Sequence, residues 1–327
     1  MRLPAFSYFR PQELGEACQL LAEHGSEAAV VGGGTDLYPK LKRRQIEATV
    51  LVGLQRIEEL RGVRASGGLS IGAGTRLREL AGHPALDSAH AALARAAGMI
   101  ASPQIRNAAT VGGNLCLDTR CDYYDRPPGW RHALGYCMKL GCDICRVAPG
   151  GDRCWALSTS DLAPVAIALD ATVRLVGSRG ERLLPVAEMY RDDGIDHLGK
   201  ARDEIVAELK VPPADGWRAT YVKLRRRGTI DFPLLSVAAA VRLDDDGVCH
   251  EARLVLGSVA SLPLRVPAAE ALLTGRPLDR DAVAEAAAAA AAAAKPMENT
   301  DLTPVYRKRM VKVYVDRALS ELAALGG

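Results

Sequence analysis

Apolar positions recur every three to four residues near the start of the chain, where Leu14, Cys18 and Leu21 form one stripe. Pro11 precedes this stripe and Gly25 follows it, which is typical of the start and the end of a helix. A short apolar run then predicts a strand at residues 28–31, and strand-like sequence follows at residues 50–52, 69–71 and 171–176. A further helical segment begins at Leu77, and another helix is predicted at about residues 85–99.

The C-terminal third has a different order of elements. Residues 212–216, Pro-Pro-Ala-Asp-Gly, have the composition of a linker. Strands are predicted after it at residues 219–224, 234–243 and 253–259, with a hairpin turn at residues 244–247. The remainder is helical and includes nine consecutive alanines. We therefore predict an α+β protein with one domain over residues 1–216 and a smaller α/β domain over residues 217–327.

Charge and hydropathy exclude several classes of protein. The chain has 42 Lys and Arg against 39 Asp and Glu, a net charge of +3, so nothing favours nucleic acid or an anionic membrane as a partner. No stretch of 18 apolar residues is present, and the first residues lack the apolar core of a signal peptide. We therefore expect a cytoplasmic protein that binds neither nucleic acid nor membrane.

Three glycine-rich segments, each predicted to form a turn, follow apolar stretches, and all three fall within 85 residues. Such segments expose backbone N–H groups with no side chain in the way, which suits phosphate binding. A P-loop is excluded because Gly-Lys-Ser/Thr is absent, and the G-x-G-x-x-G/A fingerprint fails at Leu37. Together the segments predict one elongated dinucleotide site. They are Val31-Gly32-Gly33-Gly34-Thr35-Asp36, Gly72-Ala73-Gly74-Thr75 and Thr110-Val111-Gly112-Gly113-Asn114.

Six of the eight cysteines lie within 39 residues, in or next to a segment at about 119–156 that is rich in aromatic residues and has no clear period. Such a segment is typical of an insertion held by something other than a hydrophobic core. Zinc would use the Cys142/Cys145 pair, with His132 as one candidate ligand. A 2Fe-2S centre fits the spacing of Cys137, Cys142 and Cys145, and any four of the six could bind a cubane cluster.

In order and content, the glycine-rich segments resemble the FAD-binding medium subunit of the molybdenum hydroxylases, the family that includes xanthine dehydrogenase and carbon monoxide dehydrogenase. Residues 160–164 (Ser-Asp-Leu-Ala-Pro) and 221–225 (Tyr-Val-Lys-Leu-Arg) also match patterns of that family. The resemblance covers nearly the whole chain. It implies an FAD-binding domain of two subdomains, followed by the C-terminal domain of these flavoproteins.

Most members of that family lack the cysteine-rich segment. Its position after the third glycine-rich segment is similar to that in flavin subunits of the 4-hydroxybenzoyl-CoA reductase branch, which carry an additional 4Fe-4S cluster there. The resemblance implies that the cluster ligands are Cys121, Cys137, Cys145 and Cys154. Cys142 then falls where that branch has no cysteine, and Cys116 belongs to the third glycine-rich segment.

The resemblance also implies which residues hold FAD. Residues 32–35 would receive its pyrophosphate on backbone amides, whereas Thr110, Gly113 and Asn114 would lie along the flavin and its phosphates. Asp161 would bind the adenosine or ribityl part, and Lys223 would lie close to the isoalloxazine. Without the resemblance, these two residues are more typical of a helix N-cap and an edge-strand cation. The full predicted set is Val31, Gly32, Gly33, Gly34, Thr35, Asp36, Thr75, Thr110, Gly113, Asn114, Asp161 and Lys223.

The implied function is electron transfer within a molybdenum enzyme that reduces 4-hydroxybenzoyl-CoA to benzoyl-CoA, so no catalytic residue is expected in this chain. Reduced ferredoxin would supply the electrons. A 2Fe-2S small subunit and a molybdenum-cofactor large subunit would receive them, in a dimer of heterotrimers.

The basic stretches at residues 42–44 and 225–227 are either solvated faces or a docking patch for ferredoxin. Two alternatives are an FAD subunit of a hydroxylase acting on another aromatic or heterocyclic substrate, and a zinc-stapled binding protein without redox function.

Overall fold

Three β-sheets with helices packed around them form residues 2–324, the part of the chain that the computed structural model describes. The first sheet has three parallel strands. The second has five strands and the third has four, and both are antiparallel. This architecture confirms the predicted α+β fold class.

The first sheet buries the apolar stripe that the sequence predicts for the first helix. Leu14, Cys18 and Leu21 pack in one cluster with Val50 and Val52 of the central strand. The strand order is β1-β3-β2. The elements are β1 (Ser7–Phe9), α1 (Leu14–His24), β2 (Ala28–Val31), α2 (Leu37–Lys42) and β3 (Val50–Gly53).

The second sheet has the strand order β4-β5-β8-β6-β7. Its strands are β4 (Val63–Ala65), β5 (Leu69–Gly72), β6 (Thr172–Gly177), β7 (Gly180–Pro185) and β8 (Ile205–Val211). The long connection from β5 to β6 carries the cysteine-rich segment. Its helices are α3 (Leu77–Ala81), α4 (Ala91–Met99), α5 (Pro103–Arg106), α6 (Val111–Leu115), α7 (Asp122–Asp125), α8 (Pro128–Ala133) and α9 (Leu162–Ala168).

The third sheet has the order β12-β11-β10-β9 and is buried on both faces. Ala238 and Ala240 of β10 belong to the core shared with the second sheet, whereas Val237, Ala239 and Val241 pack toward the C-terminal helices. Burial on both faces explains why residues 237–241 of β10 are continuously apolar. The elements are β9 (Trp217–Leu224), β10 (Leu235–Leu243), β11 (Cys249–Gly257), β12 (Leu264–Arg265), α10 (Pro267–Leu273), α11 (Arg280–Ala293) and α12 (Pro304–Ala324).

Two local predictions are wrong. The helix expected from about residue 85 begins at Ala91, because Asp87 is extended and Ser88 has a φ of 44°. The third glycine-rich segment is the short helix α6 rather than a turn, because the Thr110 hydroxyl caps it by accepting a hydrogen bond from Gly113 N at 3.1 Å. Among the described residues, no helix combines the length and the apolar character needed to cross a bilayer.

Candidate functional site

The first glycine-rich segment lies directly against the backbone that precedes α6. A Cβ on Gly33 would lie 2.0 Å from the carbonyl oxygen of Ala108, and one on Gly32 would lie 2.9 Å from Thr110 Oγ1. Gly34 has a φ of 70°, which favours glycine. Only residues without a side chain allow the two backbones to approach so closely, so tertiary packing requires glycine at these positions.

The second glycine-rich segment also meets α6. Gly112 N donates to the carbonyl oxygen of Ala73 at 2.8 Å, and Val111 N donates to that of Thr75 at 2.9 Å. A Cβ on Gly112 would lie 2.8 Å from the Ala73 Cβ. The three segments therefore converge on one region of the molecule, with α6 between the other two.

A cavity of about 940 Å³ opens where these segments meet. Its volume lies within the range of ligand and cofactor sites. Nine of the twelve residues predicted to bind FAD line it. They are Gly32, Gly33, Gly34, Thr35, Asp36, Thr110, Gly113, Asn114 and Asp161. We call this space the large cavity.

The other three predicted residues lie behind the wall of the large cavity. Val31 is buried in a small core with Leu41 and Leu51. Thr75 is buried, and its hydroxyl donates to the Gly62 carbonyl oxygen at 3.0 Å. Lys223 lies on the edge strand β9, and its side chain is fully buried.

Lys223 acts on the large cavity through Asp161, which lines it. Asp161 Oδ1 accepts hydrogen bonds from Tyr221 Oη at 2.6 Å and is 2.9 Å from Lys223 Nζ. Burial raises the pKa of Asp161 and lowers that of Lys223, and the contact between the two opposes both shifts. Asp161 also occupies the N-cap position of α9 without capping it by its side chain.

Asn114 links two helices at the cavity wall. Its Oδ1 accepts from the Ser160 hydroxyl at 2.9 Å and from Leu162 N at 3.0 Å, which joins α6 to the start of α9. The side-chain oxygen of Asn114 thus accepts two hydrogen bonds from the protein itself. These bonds fix the position of α6 relative to the start of α9 in the cavity wall.

Sequence reasoning missed several cations of the large cavity. Arg76, Lys200 and Arg202 line it, and within residues 2–324 none of them has a carboxylate oxygen within 4.0 Å. Isolated basic residues look like solvated surface positions in a sequence, so no local pattern indicates them. Each of these three cations is available to an anionic group of a ligand, whereas the lining as a whole carries six basic and six acidic side chains.

A second, small cavity lies within the cysteine-rich segment, and we call it the cysteine cavity. The four cysteines implied by the resemblance line it: Cys121, Cys137, Cys145 and Cys154. All four are buried, whereas Cys142 is half-buried and outside the lining. Cys116 lines the large cavity instead. The four sulfurs come from loops and short helices that share no strand.

Backbone amides point at three of these thiols. Cys121 accepts from the N–H groups of Tyr123 and Tyr124, and Cys137 and Cys154 accept from amides in the turns that follow them. Such hydrogen bonds favour the thiolate, but burial is the larger effect. It raises the pKa of Cys121 to about 12 and that of Cys154 to about 11.

The two cavities are neighbours. Arg120 lines the large cavity, and the next residue, Cys121, lines the cysteine cavity. Asp118 lies in the wall of the first, and its carboxylate contacts Lys139 in the wall of the second at 2.6 Å. One short stretch of chain therefore belongs to both walls.

Comparison with protein families identifies the family of this chain. Residues 4–214 match the FAD binding domain in molybdopterin dehydrogenase, and residues 219–322 match the CO dehydrogenase flavoprotein C-terminal domain. The chain belongs to the FAD-binding medium subunits of the molybdenum hydroxylase family. This flavin subunit is therefore an FAD-binding subunit of an oxidoreductase.

Individual relatives match over nearly the whole flavin subunit. The carbon monoxide dehydrogenase medium chain of Hydrogenophaga pseudoflava is 31% identical, over 97% of this chain and 96% of the relative. The nicotinate dehydrogenase FAD-subunit of Eubacterium barkeri is 27% identical, over 95% of each chain. The solved carbon monoxide dehydrogenase from Hydrogenophaga pseudoflava, in a form without the Mo-pyranopterin moiety, superimposes with a TM-score of 0.82, 30% identity and 99% coverage of both chains.

Proposed function

We propose that this flavin subunit carries FAD and a 4Fe-4S cluster, and that it relays electrons from reduced ferredoxin in a 4-hydroxybenzoyl-CoA reductase. The observation that carries the proposal is the cysteine cavity, with four buried thiols around one space beside the large cavity. FAD and the cluster, when bound, supply electron transfer. The remaining chemistry belongs to partner subunits, so this chain needs no catalytic acid or base.

The large cavity supports the assignment of FAD to it. Backbone amides of residues 32–35 would receive the pyrophosphate, and Arg76 and Arg202 would offset its charge. Thr110 and Gly113 would lie along the flavin and its phosphates. Asp161, oriented by Lys223 and Tyr221, would accept from the ribityl or adenosine hydroxyls.

The donor set of the cysteine cavity favours an iron–sulfur cluster over zinc. A tetrahedral zinc site with Zn–S bonds of about 2.3 Å brings its sulfurs to about 3.8 Å from one another. Among the described residues, no group of three His, Cys, Asp or Glu side chains is arranged to hold a single metal ion. Four buried thiols that line one cavity suit a cluster with four cysteine ligands, and N–H···S hydrogen bonds adjust its potential. His132 is outside the lining.

The proposed net reaction balances without further reagents. In 4-hydroxybenzoyl-CoA the para C–O bond breaks and a C–H bond forms. The substrate takes up two electrons and two protons, and water leaves. Two reduced ferredoxins are oxidised. The substrate would bind to a molybdenum-cofactor large subunit, which a 2Fe-2S small subunit connects to this one in a cytoplasmic dimer of heterotrimers.

Anaerobic purification with analysis of iron, sulfide, zinc and FAD tests the cofactors. We expect about four irons, four sulfides and one FAD per chain. One zinc without iron would refute the cluster, and absence of FAD would refute the use of the large cavity. Reduction of 4-hydroxybenzoyl-CoA by the assembled complex with reduced ferredoxin tests the substrate.

Paired cysteine variants test the ligand set. Cys145→Ser should lose iron and ferredoxin-driven turnover, because Cys145 lines the cysteine cavity. Cys142→Ser is the matched control, since this cysteine lies three residues away and outside the lining. Full iron in Cys145→Ser, together with loss of iron in Cys142→Ser, would show that the ligand set is wrong.

A second candidate function is the FAD subunit of a hydroxylase that oxidises another aromatic or heterocyclic substrate. The name of one relative, the nicotinate dehydrogenase FAD-subunit, supports it. Its reaction would run in the oxidative direction, and electrons would leave through this chain. Substrate oxidation by the complex, with no reduction of 4-hydroxybenzoyl-CoA, would favour it.

A further inference from the structure

A continuous chain of charged side chains connects the walls of the two cavities. Its members, in order, are Arg120, Asp36, Lys40, Asp118 and Lys139. Arg120, Asp36 and Asp118 line the large cavity, whereas Lys139 lines the cysteine cavity. We call these five residues the ionic chain. Positive and negative groups alternate along it, so each charge lies against an opposite one.

Lys139 is held rigidly at the end of the ionic chain. Its Nζ lies 2.6 Å from Asp118 Oδ1 and 2.8 Å from the Gly194 carbonyl oxygen, and it also contacts Thr119. The Tyr124 ring lies 4.8 Å from the same nitrogen. Its side chain is only 8% exposed, so solvent screens this charge poorly.

Asp118 joins the two lysines. One carboxylate oxygen contacts Lys40, whose side chain is fully buried, and the other contacts Lys139. These two ammonium groups hold the pKa of Asp118 far below its usual range, although burial acts in the opposite direction. Removal of either lysine would leave Asp118 with a single partner.

We propose that Lys139, positioned by Asp118, raises the reduction potential of the iron–sulfur centre. This inference rests on the proposed function, because it requires a cluster in the cysteine cavity. Reduction adds one negative charge there, and a fixed, poorly screened cation in the cavity wall stabilises the reduced form. Lys139 thus adjusts the potential, and Asp118 and Gly194 position it.

The other cation of the cysteine cavity is less suited to this role. Arg146 lines the cavity, but it is only half-buried and donates to the carbonyl oxygens of Gly135 and Tyr136 at 3.1 and 2.8 Å. Water screens its charge more strongly than that of Lys139. Of these two cations, only Lys139 is a member of the ionic chain.

Equilibrium redox titration of the anaerobic complex, followed by EPR and visible absorption, tests the proposal. Lys139→Gln should lower the midpoint potential of the cluster, so that the ratio of reduced to oxidised cluster at a fixed potential falls roughly tenfold. Lys139→Arg should keep most of the native value. Asp118→Asn should shift the midpoint in the opposite direction, because it removes a negative charge while Gly194 and Thr119 still hold Lys139.

Lys42→Gln is the matched control. Lys42 is exposed and lies two residues from Lys40. Its replacement by glutamine removes the same charge, but from a position that solvent screens. An unchanged cluster potential in Lys139→Gln, or equal shifts in Lys139→Gln and Lys42→Gln, would overturn the inference while leaving the proposed function intact. If Lys139→Gln loses its cluster, a downward or absent shift in Asp118→Asn is the result that overturns it. A native chain without iron would refute the proposed function, and this inference with it.

Discussion

Replacing Gly33 with alanine tests the closest backbone contact in the wall of the large cavity. The new Cβ would lie 2.0 Å from the carbonyl oxygen of Ala108 and 2.6 Å from its carbonyl carbon. Both are backbone atoms, so no flexible side chain can move aside. Contacts of this kind are ordinary only beyond 3.4 Å, so the two backbones must separate by about 1.4 Å.

The backbone around Ala108 resists that separation. The amides of Ala108 and Ala109 donate to the Ile105 carbonyl oxygen at 3.0 and 2.8 Å, and the Ala109 carbonyl oxygen accepts from Leu77 N at 2.9 Å. Overpacking in such a place costs about 1–3 kcal/mol, and loss of one of these hydrogen bonds costs about 1 kcal/mol more. We therefore expect Gly33→Ala to destabilise the FAD-free chain by about 3 kcal/mol and to lose bound FAD.

Urea unfolding of FAD-free protein measures the first effect, and visible absorption of the purified protein measures the second. Gly15→Ala is the control. Gly15 is exposed in α1 and has nothing within 4 Å of its Cβ position, so alanine should stabilise the helix by about 0.5–1 kcal/mol. Native stability together with full FAD content in Gly33→Ala would refute the packing argument.

Three other substitutions follow from the positions of Asn299, Lys223 and Arg202 in the structure. Asn299→Ala removes the donor to the Trp155 carbonyl oxygen at 2.6 Å, so proteolysis at residues 119–156 should accelerate, and an unchanged rate would contradict this. Lys223→Met raises the pKa of Asp161 further, so the folded state binds more protons and the variant should lose stability relative to the native chain as pH rises from about 4 to 7. Urea unfolding across that range checks it, and a constant difference would count against it. Arg202→Gln should weaken FAD binding about fivefold in a fluorescence titration, with a smaller loss at high salt, and equal affinity at low salt would rule out its role.

Local patterns predicted β10 because burial on both faces leaves a continuous apolar run at residues 237–241. They failed where a single residue broke the pattern. Ser88, with its positive φ, delays the start of α4, and the Thr110 cap turns a glycine-rich segment into helix α6. Neither event has a periodic signal.

Cysteine spacing alone left the metal and its ligands open. The Cys137, Cys142 and Cys145 spacing suggested a different centre from the one that the resemblance implied. In the structure Cys142 is half-buried and outside the lining of the cysteine cavity, although it lies only three residues from Cys145 along the chain. Spacing along the chain does not encode which loops converge.

The sequence by itself determined the fold class, the glycine-rich segments and the group of cysteines. The spacing of apolar residues, the presence of glycine and the local cysteine content are all properties of short stretches of chain. Tertiary structure decided that Lys223 acts through Asp161 and that the large cavity has unpaired cations. It also placed Lys40 against Asp118, 78 residues away, and so connected the two cavities. Such contacts depend on how the sheets and connections pack, and no residue pattern within either segment specifies its partner.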